Sequence, residues 1–198
     1  HAATKREFSR SKPTMVEPFE RVVNKHTHQT HCIIGARAYD IHAERRLPLS
    51  LLINILGGPS ANSRLNVVLR EKNGLSYNTE ATYTPYNDSG MVAIYFSSDH
   101  HNADHCRELI DAELRSLRTT PLTARRLAMI KRQFLAQMAI SMESNEGYML
   151  GAGKSYLRYK DIDTLEEAYK KVMAITAEQI RDVAQDSFAN LSRLVYGK

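Results

Sequence analysis

Between Gln29 and Tyr39, Thr30, Cys32, Ile34, Ala36 and Ala38 fall on one parity, and Gln29, His31, Ile33, Gly35, Arg37 and Tyr39 on the other. A period of two with one small and apolar side predicts a strand resting on a core. Over residues 43–56 the period lengthens, with Leu47, Leu51, Leu52 and Ile55 at helical spacing, and Gly57-Gly58-Pro59 ends the helix. Residues 62–72 predict a second helix with Leu65, Val68 and Leu69 on one face. Alternation returns over 75–86 and 91–98, on either side of the turn cluster 85–90. Tyr77, Thr79, Ala81 and Tyr83 share one side of the first run, and Val92, Ile94 and Phe96 one side of the second. That pattern predicts a β-hairpin.

The rest reads as helical. Cys106, Leu109, Ile110, Leu114 and Leu117 define one helix, and Leu127, Ile130, Phe134, Met138 and Ser141 a second that opens at Thr123 as N-cap. Gly147, Gly151 and Gly153 predict an interruption before a short helix through Leu157. Asp163-Thr164 and Thr176 predict caps for two more helices, with Gln179 completing a capping box on Thr176. Residues 191–196 predict a closing strand. Early strands, later helices and a last strand describe an α+β fold, an antiparallel sheet packed against several helices.

Composition narrows the class. A chain of 198 residues, 42% apolar, is one domain able to bury its own core. Its 27 basic and 22 acidic residues are interspersed, so a net charge of +5 points to no nucleic-acid partner. No apolar run nears the ~18 residues of a membrane span, and no signal peptide is visible. Cys32 and Cys106 stand far apart, forming neither a disulfide framework nor a Cys-x-x-Cys site. They slightly favour a cytoplasmic setting. Residues 1–20, charged and broken by Pro13 and Pro18, read as a linker or flexible tail before a domain at 21–198. The start at His1 rather than Met means either that residues were trimmed or that this is a piece of something longer, in which case the missing part lies upstream.

Several constellations carry candidate chemistry. His101-Asn102-Ala103-Asp104-His105 is H-x-x-D-H, one residue type from the inverted zinc-peptidase motif. Two His at i and i+4 can share a metal, but a third ligand is needed, and Asp reaches ~1.5 Å less far than Glu. A polar helix start accounts for the same residues. Lys154-Ser155 after Gly153 resembles the end of a phosphate loop, yet Tyr148 stands where its first glycine belongs. His26 and His28 share a strand parity that His31 does not, a poor trio for a metal. All three read as solvated strand-edge residues. Arg125-Arg126 and Lys131-Arg132 read as the polar side of an amphipathic helix. Arg70 and Glu71 end a helix, Gly74 suits its C-cap, and Tyr77 opens a strand. Arg70 and Tyr77 can therefore converge where helix hands over to strand. The guanidinium offers a fork of donors to a carbonyl or carboxylate, and the phenol can donate to an oxyanion.

Ile55-Leu56-Gly57-Gly58-Pro59-Ser60-Ala61-Asn62-Ser63-Arg64-Leu65, followed by Val68-Leu69-Arg70-Glu71-Lys72-Asn73-Gly74-Leu75-Ser76-Tyr77, resembles the signature of the second domain of M16 metallopeptidases. Pro59 replaces one glycine of that signature's triple. The resemblance implies a LuxS/MPP-like metallohydrolase fold and the C-terminal, non-zinc domain of a peptidase whose paired domains enclose a peptide chamber. It implies zinc in the full-length protein, held by H-x-x-E-H in an N-terminal domain, and no metal ligand in this chain. That motif lies on an early helix in the family, where this chain has only His42-Ala43-Glu44-Arg45-Arg46, so the near-motif at His101 becomes coincidence. The implied partners are the N-terminal M16 domain, in the same protein or a partner subunit, and a peptide substrate. The resemblance also allows a dimer. Arg70 and Tyr77 are implied to hydrogen-bond the substrate backbone, with Tyr77 helping to stabilise the tetrahedral oxyanion. Gly57 and Gly58 are expected to let the backbone pass tightly between helices. The alternative expectation is a non-catalytic scaffold or partner subunit.

Overall fold

The computed structural model describes residues 17–197 together with Ser11, Pro13 and Thr14. Its sheet is built from β1 (Glu20–Val23), β2 (Thr30–Ala38), β3 (Asn78–Pro85), β4 (Gly90–Ser98) and β5 (Ser192–Tyr196), in the spatial order β1-β5-β2-β4-β3. The hairpin is as expected, with Asn78 opposite Ser97 and Pro85 opposite Gly90. β2 pairs antiparallel with β4 on one side and β5 on the other. β1 was not anticipated, and it runs parallel to β5, so the sheet is mixed rather than purely antiparallel. Its sequence, ERVV, buries no residue and gives little periodic signal. It is held by long-range bonds, from Arg193 N–H to the Phe19 carbonyl (2.7 Å) and from the Arg107 guanidinium to Glu20 (2.6 Å).

The helices are α1 (Arg46–Gly57), α2 (Ala103–Thr119), α3 (Ala124–Glu143), α4 (Asn145–Tyr159), α5 (Leu165–Met173) and α6 (Ala177–Ser187). Cys32, Ile34, Val92, Ile94 and Phe96 on one sheet face meet Leu49, Leu52 and Leu56 of α1, Cys106 and Ile110 of α2, and Ile180 and Val183 of α6. The opposite parity leaves Ile33, Met91 and Tyr196 exposed on the other face. One face is thus packed and one is open, as a half-covered sheet allows.

Local chemistry explains most boundaries. α1 starts at Arg46 rather than 43 because Pro48, lacking an N–H, fits a first turn. Thr123, Thr164 and Thr176 cap α3, α5 and α6 as expected, the last two through reciprocal capping boxes with Glu167 and Gln179. The three glycines at 147–153 do not interrupt the chain. The break comes at Ser144, which accepts a hydrogen bond from Gly147 N–H, and α4 runs through all three. None of α4's 15 residues is buried. The expected helix over 62–72 is instead a π-helix over Asn66–Glu71, with Lys72 N–H reaching Val67 O, five residues back. Gly57 does not lie between helices: it abuts β3 at Ala81, and Gly58 abuts Asn54 of its own helix.

Candidate functional site

The candidate site is the return from α1 through the π-helix into β3. Its first part is structural. Asn62 donates to Gln133 of α3 (3.1 Å), Asn54 to Gln137 (2.9 Å), and Arg64 to Glu113 of α2 (3.1 Å). Leu65 is fully buried. The early half of the signature motif therefore docks a loop onto two helices.

The later half builds a rigid turn. Leu69 is fully buried, and Arg70 follows it out to solvent. Gly74 has φ +62°, a left-handed conformation that glycine adopts without a Cβ penalty. Its N–H reaches the Arg70 carbonyl (2.9 Å), and Leu75 N–H reaches the Leu69 carbonyl (2.8 Å). This paired closure is of the glycine-ended helix type, each bond spanning one residue more because the helix is wound as π. Asn73 adds a side-chain bond to the Val68 carbonyl at 2.7 Å. π-turns are rare and are found frequently at functional sites.

Arg70 and Tyr77 thus stand at the two ends of one fixed turn. Tyr77 is 82% exposed, more than any other large hydrophobic residue among those described. Its hydroxyl forms no hydrogen bond among the described residues. The Arg70 guanidinium lies 3.8 Å from Glu71 across an exposed surface, a pairing too weak to hold it. The arrangement offers two exposed hydrogen-bond donors, a guanidinium and a phenol. Ser76 escaped notice in the sequence. It is buried, and its Oγ donates to the Ser97 carbonyl at 2.7 Å. A serine between Leu75 and Tyr77 carries no local mark, because its partner lies on another strand.

The remaining candidates separate. Among the described residues no group of three or more His, Cys, Asp and Glu is arranged to hold a metal ion. His101 lies in a 3₁₀ turn (His100–Asn102) before α2, not on the same helix as His105. His105 faces Glu108 (3.6 Å), and Asp104 accepts from Arg107 (2.6 Å). Lys154 and Ser155 sit inside α4, with no strand leading into it. His26 and His28 are exposed loop residues. His31 is not on an edge: β2 is the central strand, and the His31 ring pairs with the Tyr95 hydroxyl at 2.8 Å. Lys131 leaves the polar side of α3 and is buried, donating Nζ to the Met173 carbonyl at the end of α5 (2.7 Å). Desolvation holds its pKa below the ordinary lysine value.

Residues 3–134 match the family model described as peptidase M16 inactive domain. The chain belongs to that family. The uncharacterized zinc protease YmxG of Bacillus subtilis (strain 168) is 31% identical over 164 residues, covering 83% of this chain and 40% of the relative. An uncharacterized zinc protease of Rickettsia bellii is 30% identical over 177 residues, covering 85% of this chain and 40% of the relative. The M16 inactive domain described here thus spans well under half the length of these relatives. In fold it is similar to the peptidase M16 inactive domain from Pseudomonas fluorescens, with a TM-score of 0.82 at 20% identity over 94% of this chain and 45% of that one. A protease from Helicobacter pylori gives a TM-score of 0.80 at 19% identity, over 90% of this chain and 44% of that one. The α+β fold and the M16 resemblance read from residues 55–77 are both borne out.

Proposed function

We propose that this M16 inactive domain is the substrate-binding C-terminal half of a zinc metallopeptidase that cleaves peptides, and that Arg70 and Tyr77 are the groups it presents to the peptide. The carrying observation is the contrast at the turn: a backbone bonded on both sides of the glycine holds out an arginine and a tyrosine whose side chains are exposed. A guanidinium suits a substrate carbonyl. A phenol suits the oxygen that gains charge when water attacks a peptide carbonyl. Zinc, when bound, would polarise that carbonyl and activate the water. Its ligands belong to the N-terminal domain, and no residue of this chain is given that role.

Two surfaces support pairing with such a domain. The open sheet face carries Ile33, Met91 and Tyr196, and α4 exposes Tyr148, Met149, Leu150, Tyr156 and Leu157. Apolar area of this kind marks an interaction site, and the greater length of the zinc-protease relatives supplies a candidate for it. A non-catalytic partner subunit would use the same surfaces but would show no turnover in the assembled protein. The test is made in the two-domain parent protein with an unstructured peptide. Arg70→Ala and Tyr77→Phe should each lower kcat by about 10²-fold, the scale of one oxyanion donor, with unchanged thermal unfolding. Full turnover in both variants would refute the assignment.

A further inference from the structure

Tyr77 follows a side chain as hidden as its own is exposed. Ser76 is 2% exposed, and its Oγ lies 2.7 Å from the Ser97 carbonyl oxygen and 3.1 Å from that of Asn78. One hydroxyl has one proton, so it donates to one carbonyl at a time, and the shorter contact is the better bond. Ser97 is the β4 residue opposite Asn78. The hydroxyl before Tyr77 is thereby tied to the strand that pairs with the residue after it. Tyr77 has no side-chain hydrogen bond among the described residues, so its direction is inherited from the backbone on either side. The upstream end is built alike: fully buried Leu69 immediately precedes Arg70 and accepts from Leu75 N–H.

We propose that Ser76 is a positioning residue for Tyr77, setting the direction in which the phenol leaves the turn toward the peptide. The inference rests on the reading of Tyr77 as a substrate contact. Removing the hydroxyl takes away the one side-chain bond that, among the described residues, joins the turn to β4, while the hairpin ladder and the glycine closure remain. The phenol then samples more orientations, and fewer of them place it on the reacting carbonyl.

The experiment measures kcat and KM for an unstructured peptide in the zinc-loaded two-domain parent. It compares wild type, Ser76→Ala, Ser76→Thr, Tyr77→Phe and the double variant Ser76→Ala/Tyr77→Phe. Ser76→Ala should lower kcat roughly tenfold, the scale of one hydrogen bond's net worth, with KM little changed. Ser76→Thr, which keeps a hydroxyl, should restore most of that loss. The double variant should be no worse than Tyr77→Phe alone, since the serine acts through the phenol. Multiplying losses in the double variant, or wild-type kcat in Ser76→Ala beside an impaired Tyr77→Phe, would overturn the proposal. Wild-type kcat in Tyr77→Phe would instead overturn the substrate role of Tyr77, and the inference would fall with it. A second readout needs no turnover. With fluorotyrosine at position 77 of the 198-residue chain, the fluorine resonance should narrow in Ser76→Ala and recover in Ser76→Thr. An unchanged line in Ser76→Ala would count against the proposal.

Discussion

Gly57 meets Ala81 so closely that a Cβ built on the glycine would stand 2.5 Å from the Ala81 backbone nitrogen and 2.8 Å from its Cβ. This contact presses the end of α1 onto the middle of β3. It thereby sets the spacing between the loop that leads to Arg70 and the strand that follows Tyr77.

Gly57→Ala should separate these elements, because the obstructing atoms are backbone and a strand-anchored Cβ that cannot swing aside. Overpacking of this kind costs about 1–3 kcal/mol. Urea titration of the chain should show a lower midpoint with an unchanged slope. A cost below about 0.5 kcal/mol, the level of an ordinary surface change, would mean that the contact is softer than its geometry.

The two capping boxes should differ in reach although their chemistry is the same. Thr176 opens α6, which places Ile180, Val183 and Ala184 in the core, so Thr176→Ala should lower global stability by about 1 kcal/mol. Thr164 opens α5, where only Val172 is buried. Thr164→Ala should therefore fray that helix locally. Hydrogen exchange separates the two cases: faster exchange throughout the sheet is expected for Thr176→Ala, and faster exchange confined to α5 for Thr164→Ala. Equal effects on the sheet would contradict this division.

Alkaline pH should unfold the chain through its buried weak acids. Burial pushes the Cys32 thiol from 9.0 up to about 11, with Arg107 and Arg193 opposing the rise, and burial raises Tyr83 from 10.0 to about 12. The unfolded chain loses these protons first, so it binds fewer of them than the folded chain across that window. Their stabilising effect is complete below pH 9 for Cys32 and below pH 10 for Tyr83, and it is lost as pH rises through 11 and 12. Lys131 acts in the opposite sense, since its depressed pKa is a cost that rising pH relieves. Cys32→Ala, whatever its baseline stability, should flatten the fall in urea midpoint above pH 9. A slope identical to wild type would refute the thiol's part.

Much of the candidate site was legible in the sequence, but only as a pattern. Gly74 announced a left-handed cap, and Arg70 and Tyr77 stood at the ends of the segment it joins. Ser76 was illegible, because a serine becomes a tether only when Ser97 of the facing strand is beside it. Lys131 misled for a related reason. Its position on α3 reads as polar until the end of α5 closes over it with an acceptor for its ammonium.

Periodicity and capping were enough for the hairpin, the helix caps and the α+β class, because both depend on residues within a few positions of one another. The M16 family was legible for the same reason, its signature being one continuous stretch from Ile55 to Tyr77. The parallel strand β1 emerges only in the folded chain, because its hydrogen bonds go to residues at the far end of the sequence. So do the close seat of Gly57 on β3 and the exposure of Tyr77 beside a buried Ser76. Each of these depends on which distant backbone arrives next to a residue, and no local pattern encodes that arrival.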